Sequence, residues 1–120
     1  MDRCPELVEL EAFFGVSARA AYGDVGWYYD SLSFDQGSAS EHLMCTMEPA
    51  EGTFTILRSV GGHVQLDLAF HCVVSLELEH SAGAALLIGR ISQGGVEQLF
   101  KLSLAPVFSF RLSMQLPALH

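Results

Sequence analysis

Residues 62–80 read GHVQLDLAFHCVVSLELEH, and every second position from Val64 to Leu78 is apolar. The opposite positions carry mostly His, Gln, Asp, Ser and Glu, with Ala69 and Val73 as the apolar exceptions. A period of two is typical of a β-strand with one buried face. Because this run is much longer than the usual five or six residues of a strand, it predicts one long curved strand or two strands bent without loss of register. The even positions are expected to be buried.

Three further stretches alternate in the same way, at residues 42–48, 96–104 and 108–116. Turn sequences join these stretches into hairpins. Gly61-Gly62 predicts a two-residue connection of type I′ or II′, and residues 93–95, QGG, predict another hairpin loop. No connection between the strands is long enough for a parallel crossover, so the strands are expected to be antiparallel.

A short helix is predicted before the strands. Pro5 suits the first turn of a helix, Leu7, Leu10 and Phe14 recur at helical spacing, and Gly15 suits the position after the last turn. The sequence therefore predicts an α+β, β-rich fold with one N-terminal helix and about seven or eight mostly antiparallel strands, in a curved sheet or a flattened barrel. Residues 1–120 are expected to form a single domain.

The composition excludes several classes of function. Half of the residues are hydrophobic, which excludes a disordered tail. Six Lys and Arg stand against fourteen Asp and Glu, giving a formal charge of −8. A surface that neutralises nucleic-acid phosphates needs clustered Lys and Arg, so neither nucleic acid nor an anionic membrane is expected as a partner. The negative charge instead favours basic partners, and a homodimer is left open.

No catalytic residue, cofactor or metal ion is expected. The sequence contains no glycine-rich phosphate loop, no G-x-S-x-G and no H-E-x-x-H. His63 and His71 share a face of the alternating run, but about 26 Å of strand separates them. Cys4, Cys45 and Cys72 fit neither a disulfide framework nor a zinc site, and the latter two are expected to face the core. With no signal peptide or membrane span in view, a cytoplasmic protein is expected.

The candidate binding segment is residues 24–30, DVGWYYD. If it forms a strand, Trp27 and Tyr29 share one face, and one aromatic side must look away from the main core. Aromatics on both faces would also fit a helix-packing seam, but Trp and Tyr are enriched at interface hot spots and carboxylates complement a basic partner. The predicted partner-binding residues are Asp24, Trp27, Tyr29, Asp30 and Asp35. The second candidate is a strand face bearing Asp67, Glu77 and Glu79.

A resemblance to a known group of proteins emerges from these features together. A helix ending in Phe13-Phe14-Gly15, a turn with Asp24 that leads into a strand, and a hairpin around residues 63–70 and 74–78 resemble the small immunity proteins of bacterial polymorphic-toxin systems. The likeness covers residues 7–80. In some of those families a His-Asp pair opens the first strand, whereas here the pair is Gly23-Asp24 and only the aspartate matches. The resemblance implies a cytosolic, acidic, non-catalytic protein that binds one cognate toxin.

Two functions of different classes follow. The first is an immunity protein whose acidic and aromatic groups occlude the active site of a toxin domain, since many toxins act on phosphates and present Lys and Arg. The alternative is a small module, an enzyme or a binder of an apolar ligand, in which the curved sheet forms a cup. An acidic adaptor or secretion chaperone is disfavoured, because such chaperones usually carry more helix.

Overall fold

The computed structural model describes residues 1–81 and 83–115, and the chain divides into two compact units. Unit 1 comprises residues 1–5 and 72–120, and unit 2 comprises residues 6–71. Each unit contains one antiparallel sheet, and neither sheet closes on itself. The α+β, β-rich prediction is confirmed, with curved sheets rather than a flattened barrel. In the described ranges, no helix is long and apolar enough to cross a membrane.

The described residues hold nine strands, one more than the upper prediction because the first strand has only two residues. The elements of unit 2 are α1 (Leu7–Phe14), β1 (Arg19–Ala20), a 3-10 helix (Trp27–Tyr29), β2 (Leu32–Gly37), β3 (Glu41–Glu48), β4 (Thr53–Val60) and β5 (His63–Phe70). Those of unit 1 are β6 (Val73–Ser81), β7 (Ala84–Gln93), β8 (Val96–Ser103) and β9 (Ser109–Gln115). Within each sheet the strands lie in chain order.

The predicted helix is present as α1. It is preceded by a capping box in which the Glu6 carboxylate accepts the backbone N–H of Glu9, and the Glu9 carboxylate accepts the N–H of Glu6 at 3.0 Å. Gly15 ends the helix in the left-handed conformation, with φ of 73°. The buried Phe14 ring stacks on Phe34 of β2 at 4.4 Å between ring centroids. This contact anchors the helix on the buried face of the unit 2 sheet.

The core of unit 2 lies on one face of its sheet. The ladder places Phe34, Cys45 and Ile56 side by side on β2, β3 and β4, and none of the three is more than 1% exposed. Their neighbours on the opposite face, such as Thr46 and Thr55, are half-buried. The other buried apolar residues of this unit are Leu10, Leu32, Leu43, Met47, Phe54 and Phe70.

The core of unit 1 is centred on Phe100 of β8, which is fully buried. The ladder sets Phe100 directly opposite Gly89 of β7, where the missing side chain leaves room for the aromatic ring. The N-terminal residues belong to this unit, because the N–H of Asp2 bonds to the carbonyl of Val74 and the N–H of Leu76 bonds to the carbonyl of Arg3. Further buried apolar residues of the unit are Val73, Leu76, Leu87, Ile91 and Leu102.

Both glycine-pair turns predicted from the sequence are confirmed. Gly61 and Gly62 have φ of 59° and 80°, and Gly94 and Gly95 have φ of 60° and 78°. Each pair joins two strands that are in register on either side of it. A turn with positive φ at both central residues is of type I′, and its twist matches that of the flanking strands.

The prediction that every even-numbered residue from Val64 to Leu78 is buried is wrong. β5 and β6 belong to different sheets, and between them lies Cys72, a non-glycine residue with φ of 61°. The odd position Val73 is buried, and a register shift between Val73 and Ser75 precedes the buried even position Leu76. A register shift opposite Arg58 disturbs the phase at the start of β5, where Val64 is 62% exposed. The part of the predicted alternation beyond residue 115 lies outside the described residues.

The cysteines differ from each other more than the sequence predicted. Cys45 is buried as expected, and burial raises the pKa of its thiol to about 12. Cys72 is exposed, which corrects the prediction that it faces the core. In the described ranges, no three His, Cys, Asp or Glu side chains are grouped so that they could hold a metal ion.

Candidate partner-binding site

Residues 21–31 form a loop that closes around the carboxylate of Asp30. This carboxylate accepts the backbone N–H groups of Gly23 at 2.9 Å, Tyr22 at 3.1 Å and Ser31 at 2.8 Å. Asp30 is 2% exposed, and burial raises the pKa of its carboxyl. The backbone N–H groups lower the pKa by more, so it lies below the ordinary value of 3.8 and the group is ionised at neutral pH. Asp30 therefore fixes the shape of the loop.

This arrangement differs from the expected strand. Residues Trp27–Tyr29 form a turn of 3-10 helix, so the alternating-face argument does not apply to them. Asp30, one of the predicted binding residues, is buried and its oxygens accept backbone N–H groups of the loop. An aspartate that bonds nearby backbone N–H groups is common in turns, and the glycines just before it were the sequence signal for this role.

The outer surface of the loop is aromatic. Tyr22 and Tyr29 are each 73% exposed, Val25 is 45% exposed, and Asp24 is exposed beside them in the sequence. Tyr22 was not among the predicted site residues, although it directly precedes the Gly23-Asp24 pair. A surface with two exposed tyrosines, one valine and one carboxylate offers both apolar area and polar groups to a protein partner. We call Tyr22, Asp24, Val25 and Tyr29 the tyrosine surface.

Two half-buried aromatic residues support the tyrosine surface from within the loop. The Trp27 and Tyr28 rings meet edge to face with centroids 6.0 Å apart, and those of Tyr28 and Tyr29 do so at 5.3 Å. The carbonyl of Tyr28 accepts the N–H of Ala50 in the β3–β4 turn at 3.1 Å. The loop is thus held by ring contacts and by a backbone hydrogen bond. Trp27 is half-buried, whereas Tyr22 and Tyr29 are exposed.

The structure places Asp35 on the sheet and not in the loop. It lies in β2, on the face opposite the core, and its carboxylate is hydrogen-bonded to the His42 ring of β3. The second predicted candidate is divided between the two units. Asp67 belongs to β5 of unit 2, whereas Glu77 and Glu79 belong to β6 of unit 1. Of the first set of predicted residues, Asp24, Trp27, Tyr29 and the buried Asp30 lie in the loop, and Asp35 does not.

The net charge is distributed very unevenly between the two units. Unit 2 contains ten Asp and Glu against two Arg, and unit 1 contains four against four. The whole formal charge of −8 is therefore carried by unit 2, which also carries the tyrosine surface. One of its two arginines, Arg58, donates to Glu41 at 2.8 Å and to Gln65 at 2.6 Å. The field of unit 2 is suited to attracting a cationic partner.

These features define an acidic α+β protein with two antiparallel sheets and an exposed tyrosine surface on a loop that is hydrogen-bonded to the Asp30 carboxylate. No protein-family model matches the sequence, and no curated protein matches it either. In three dimensions the chain is similar to a chain of a contact-dependent growth inhibition toxin–immunity protein complex from Klebsiella pneumoniae 342. The TM-score is 0.77 over 95% of this chain and 96% of that chain, at 12% sequence identity. The resemblance found in the sequence is confirmed at the level of the fold.

Proposed function

We propose that this chain is a non-catalytic immunity protein of the bacterial cytoplasm, which binds a cognate toxin domain and blocks its active site. The observation that carries the proposal is the shared fold with a chain of a toxin–immunity protein complex, over nearly the full length of both chains. The acidic charge supports the immunity side of such a pair. A toxin that acts on phosphates presents Lys and Arg in its active site, and an acidic inhibitor complements them.

The charge of unit 2 would act first, during the approach of the two proteins. An excess of eight carboxylates within residues 6–71 speeds the encounter with a basic surface over distances comparable to the Debye length, about 8 Å at physiological ionic strength. The association rate constant should therefore fall as salt is added. The dissociation rate constant should change much less, because it depends on the contacts made after docking.

The tyrosine surface would then supply the short-range contacts. Tyrosine brings a large apolar ring with few rotatable bonds and a hydroxyl that bonds at the interface. Because the Asp30 carboxylate already holds the loop in shape, little conformational entropy remains to be lost on binding. Asp24 adds an exposed carboxylate to this surface, which would pair with a Lys or Arg of the toxin.

The test is co-expression with candidate toxin domains, beginning with the product of the neighbouring gene, scored as growth of the toxin-producing cells. Wild type should restore growth, and failure of wild type to protect would refute the immunity function. Asp24→Lys and Asp67→Lys change the net charge equally, and both residues are exposed in unit 2. Asp67→Lys is therefore the matched control for long-range attraction.

The two variants separate contact from general electrostatics in binding kinetics. Both should slow association to a similar extent, since they remove the same charge from the same unit. Asp24→Lys alone should also speed dissociation, by about tenfold or more, because it places a lysine inside the interface. If wild type protects but the two variants dissociate equally slowly, the immunity function stands and the interface lies away from the tyrosine surface.

A further inference from the structure

The two edge strands of the unit 1 sheet, β6 and β9, differ in whether another part of the chain pairs with them. The β6 edge is covered by residues 2–3, which pair with it through backbone hydrogen bonds and an Arg3–Glu77 ion pair at 3.0 Å. Within residues 1–81 and 83–115, no strand pairs with the outer edge of β9. Its apolar side chains include Leu112, 46% exposed, and Met114, 63% exposed. An open edge with exposed apolar groups and a single charge is a template for adding another strand.

We propose that β9 pairs with β9 of a second copy of this chain, antiparallel and about a two-fold axis at Leu112. In this register Leu112 lies opposite Leu112 of the second copy, and Phe110 lies opposite Met114. These residues share one face of β9, because they pair with Phe100, Leu102 and Gln98 of β8. A two-fold interface uses the same surface on both copies and must be self-complementary. β9 meets this requirement, because each apolar side chain on this face lies opposite an apolar side chain of the second copy.

The distribution of charge also favours the β9 edge as the place where a second copy binds. The only charged residue of β9 is Arg111, which lies opposite Ser113 of the second copy in this register, so no like charges meet across the new strand pair. Two copies that each carry −8 repel one another, but unit 1 contributes none of that charge. Its edge is therefore where a second copy can approach with least repulsion. The dimer is independent of toxin binding and does not rest on the proposed function.

The size of the contact sets the expected affinity. Pairing two seven-residue strands buries less than the roughly 1,600 Å² of a standard stable interface. The dimer should accordingly be weak, with a Kd of about 10–100 µM. It would be missed at the dilution of routine chromatography and should appear in sedimentation velocity of the full chain from about 5 to about 500 µM. Across this range the average mass should rise from that of one chain towards that of two.

A charge-swap pair tests the register itself. Leu112→Lys and Leu112→Glu each set two like charges against each other on the two-fold axis, and each should weaken the dimer by about tenfold or more. An equal mixture of the two variants should form a heterodimer at least as readily as wild type, because lysine then lies opposite glutamate. Val64→Lys is the control, since Val64 is also an exposed apolar strand residue, 62% exposed against 46% for Leu112, but lies on β5 of the other sheet.

Each result bears directly on the proposal. Restored dimerisation in the mixture excludes misfolding of the single variants as the reason for their weaker association, and circular dichroism melts check their folding separately. A wild-type protein that stays monomeric to about 500 µM overturns the proposal. So does a dimer that the Leu112 variants leave unchanged, or one that the mixture fails to restore.

Discussion

Replacing Gly89 by alanine should destabilise the protein through a single buried clash. A Cβ at this position would overlap Cε2 and Cζ of the Phe100 ring and would lie 2.6 Å from Cδ2. Cε2 would lie only 2.0 Å from this Cβ, and ordinary contact begins at 3.4 Å, so the ring would have to move by at least about 1.4 Å. It is fully buried and stacks on Phe110 at 5.9 Å, so there is no free space to receive it.

The expected magnitude follows from two opposing effects. Forcing an extra methyl group into a packed core costs about 1–3 kcal/mol, and the rigid ring at Phe100 places this site near the upper value. Replacing glycine within a strand recovers roughly 0.5–1 kcal/mol, because the unfolded chain loses freedom. The free energy of unfolding should therefore fall by about 2 kcal/mol. With a urea dependence of about 1–3 kcal/mol per molar, the midpoint should drop by about 1 M.

The measurement is urea unfolding of Gly89→Ala, alone and combined with Phe100→Leu. Removing the ring should relieve the clash, so alanine at position 89 should cost less than about 0.5 kcal/mol in the Phe100→Leu background. Gly26→Ala is the matched control, because its Cβ would meet its nearest neighbour, in the Tyr29 ring, at an ordinary 3.9 Å. Equal costs of Gly89→Ala in both backgrounds would refute the clash as the cause.

Three further outcomes are expected. Tyr29→Ala should weaken toxin binding about 30-fold while leaving the melting temperature unchanged; unchanged affinity in calorimetric titration would exclude this ring from the interface. Asp30→Asn should lower the melting temperature at neutral pH. Because folding lowers the Asp30 pKa, the ionised carboxylate stabilises wild type above about pH 3.8, and this difference from Asp30→Asn should shrink as the pH falls below that value. Melting temperatures of the two proteins that differ equally in acid and at neutral pH would contradict the role of the ionised Asp30 carboxylate. A thiol reagent should modify exposed Cys72 quickly and Cys45 only on unfolding, and rapid native labelling of Cys45 would contradict its burial.

Local signals predicted the helix and the hairpins well. Gly15, Gly61 and Gly62 adopt positive φ. Glycine tolerates this conformation because it has no side chain, so these positions could be assigned to turns without knowing the rest of the fold. The apolar residues of α1 follow one helical face, and two of them, Leu10 and Phe14, are buried. These features depend on neighbours in sequence, which is why they could be derived from it.

Features that depend on distant parts of the chain could not be predicted. The alternation through residues 62–80 did not indicate that Cys72 adopts a left-handed conformation. It also did not indicate that the residues before and after Cys72 belong to different sheets. The segment around Asp30 contained strand-forming aromatics, but three backbone N–H groups around one carboxylate outweigh that preference. Of the proposed binding residues in this segment, Tyr29 is exposed and Asp30 is buried, and the equally exposed Tyr22 was not among them.

The pairing of residues 2–3 with β6 has a consequence for the order of folding during synthesis. Unit 2 is continuous in sequence, so all of it is synthesised before the first strand of unit 1. The Asp2 N–H and the Arg3 carbonyl cannot form their hydrogen bonds until Val74 and Leu76 have been synthesised, some seventy residues later. Closing so long a loop is slow compared with forming a hairpin. Residues 2–3, although synthesised before unit 2, are therefore expected to be among the last to reach their native contacts.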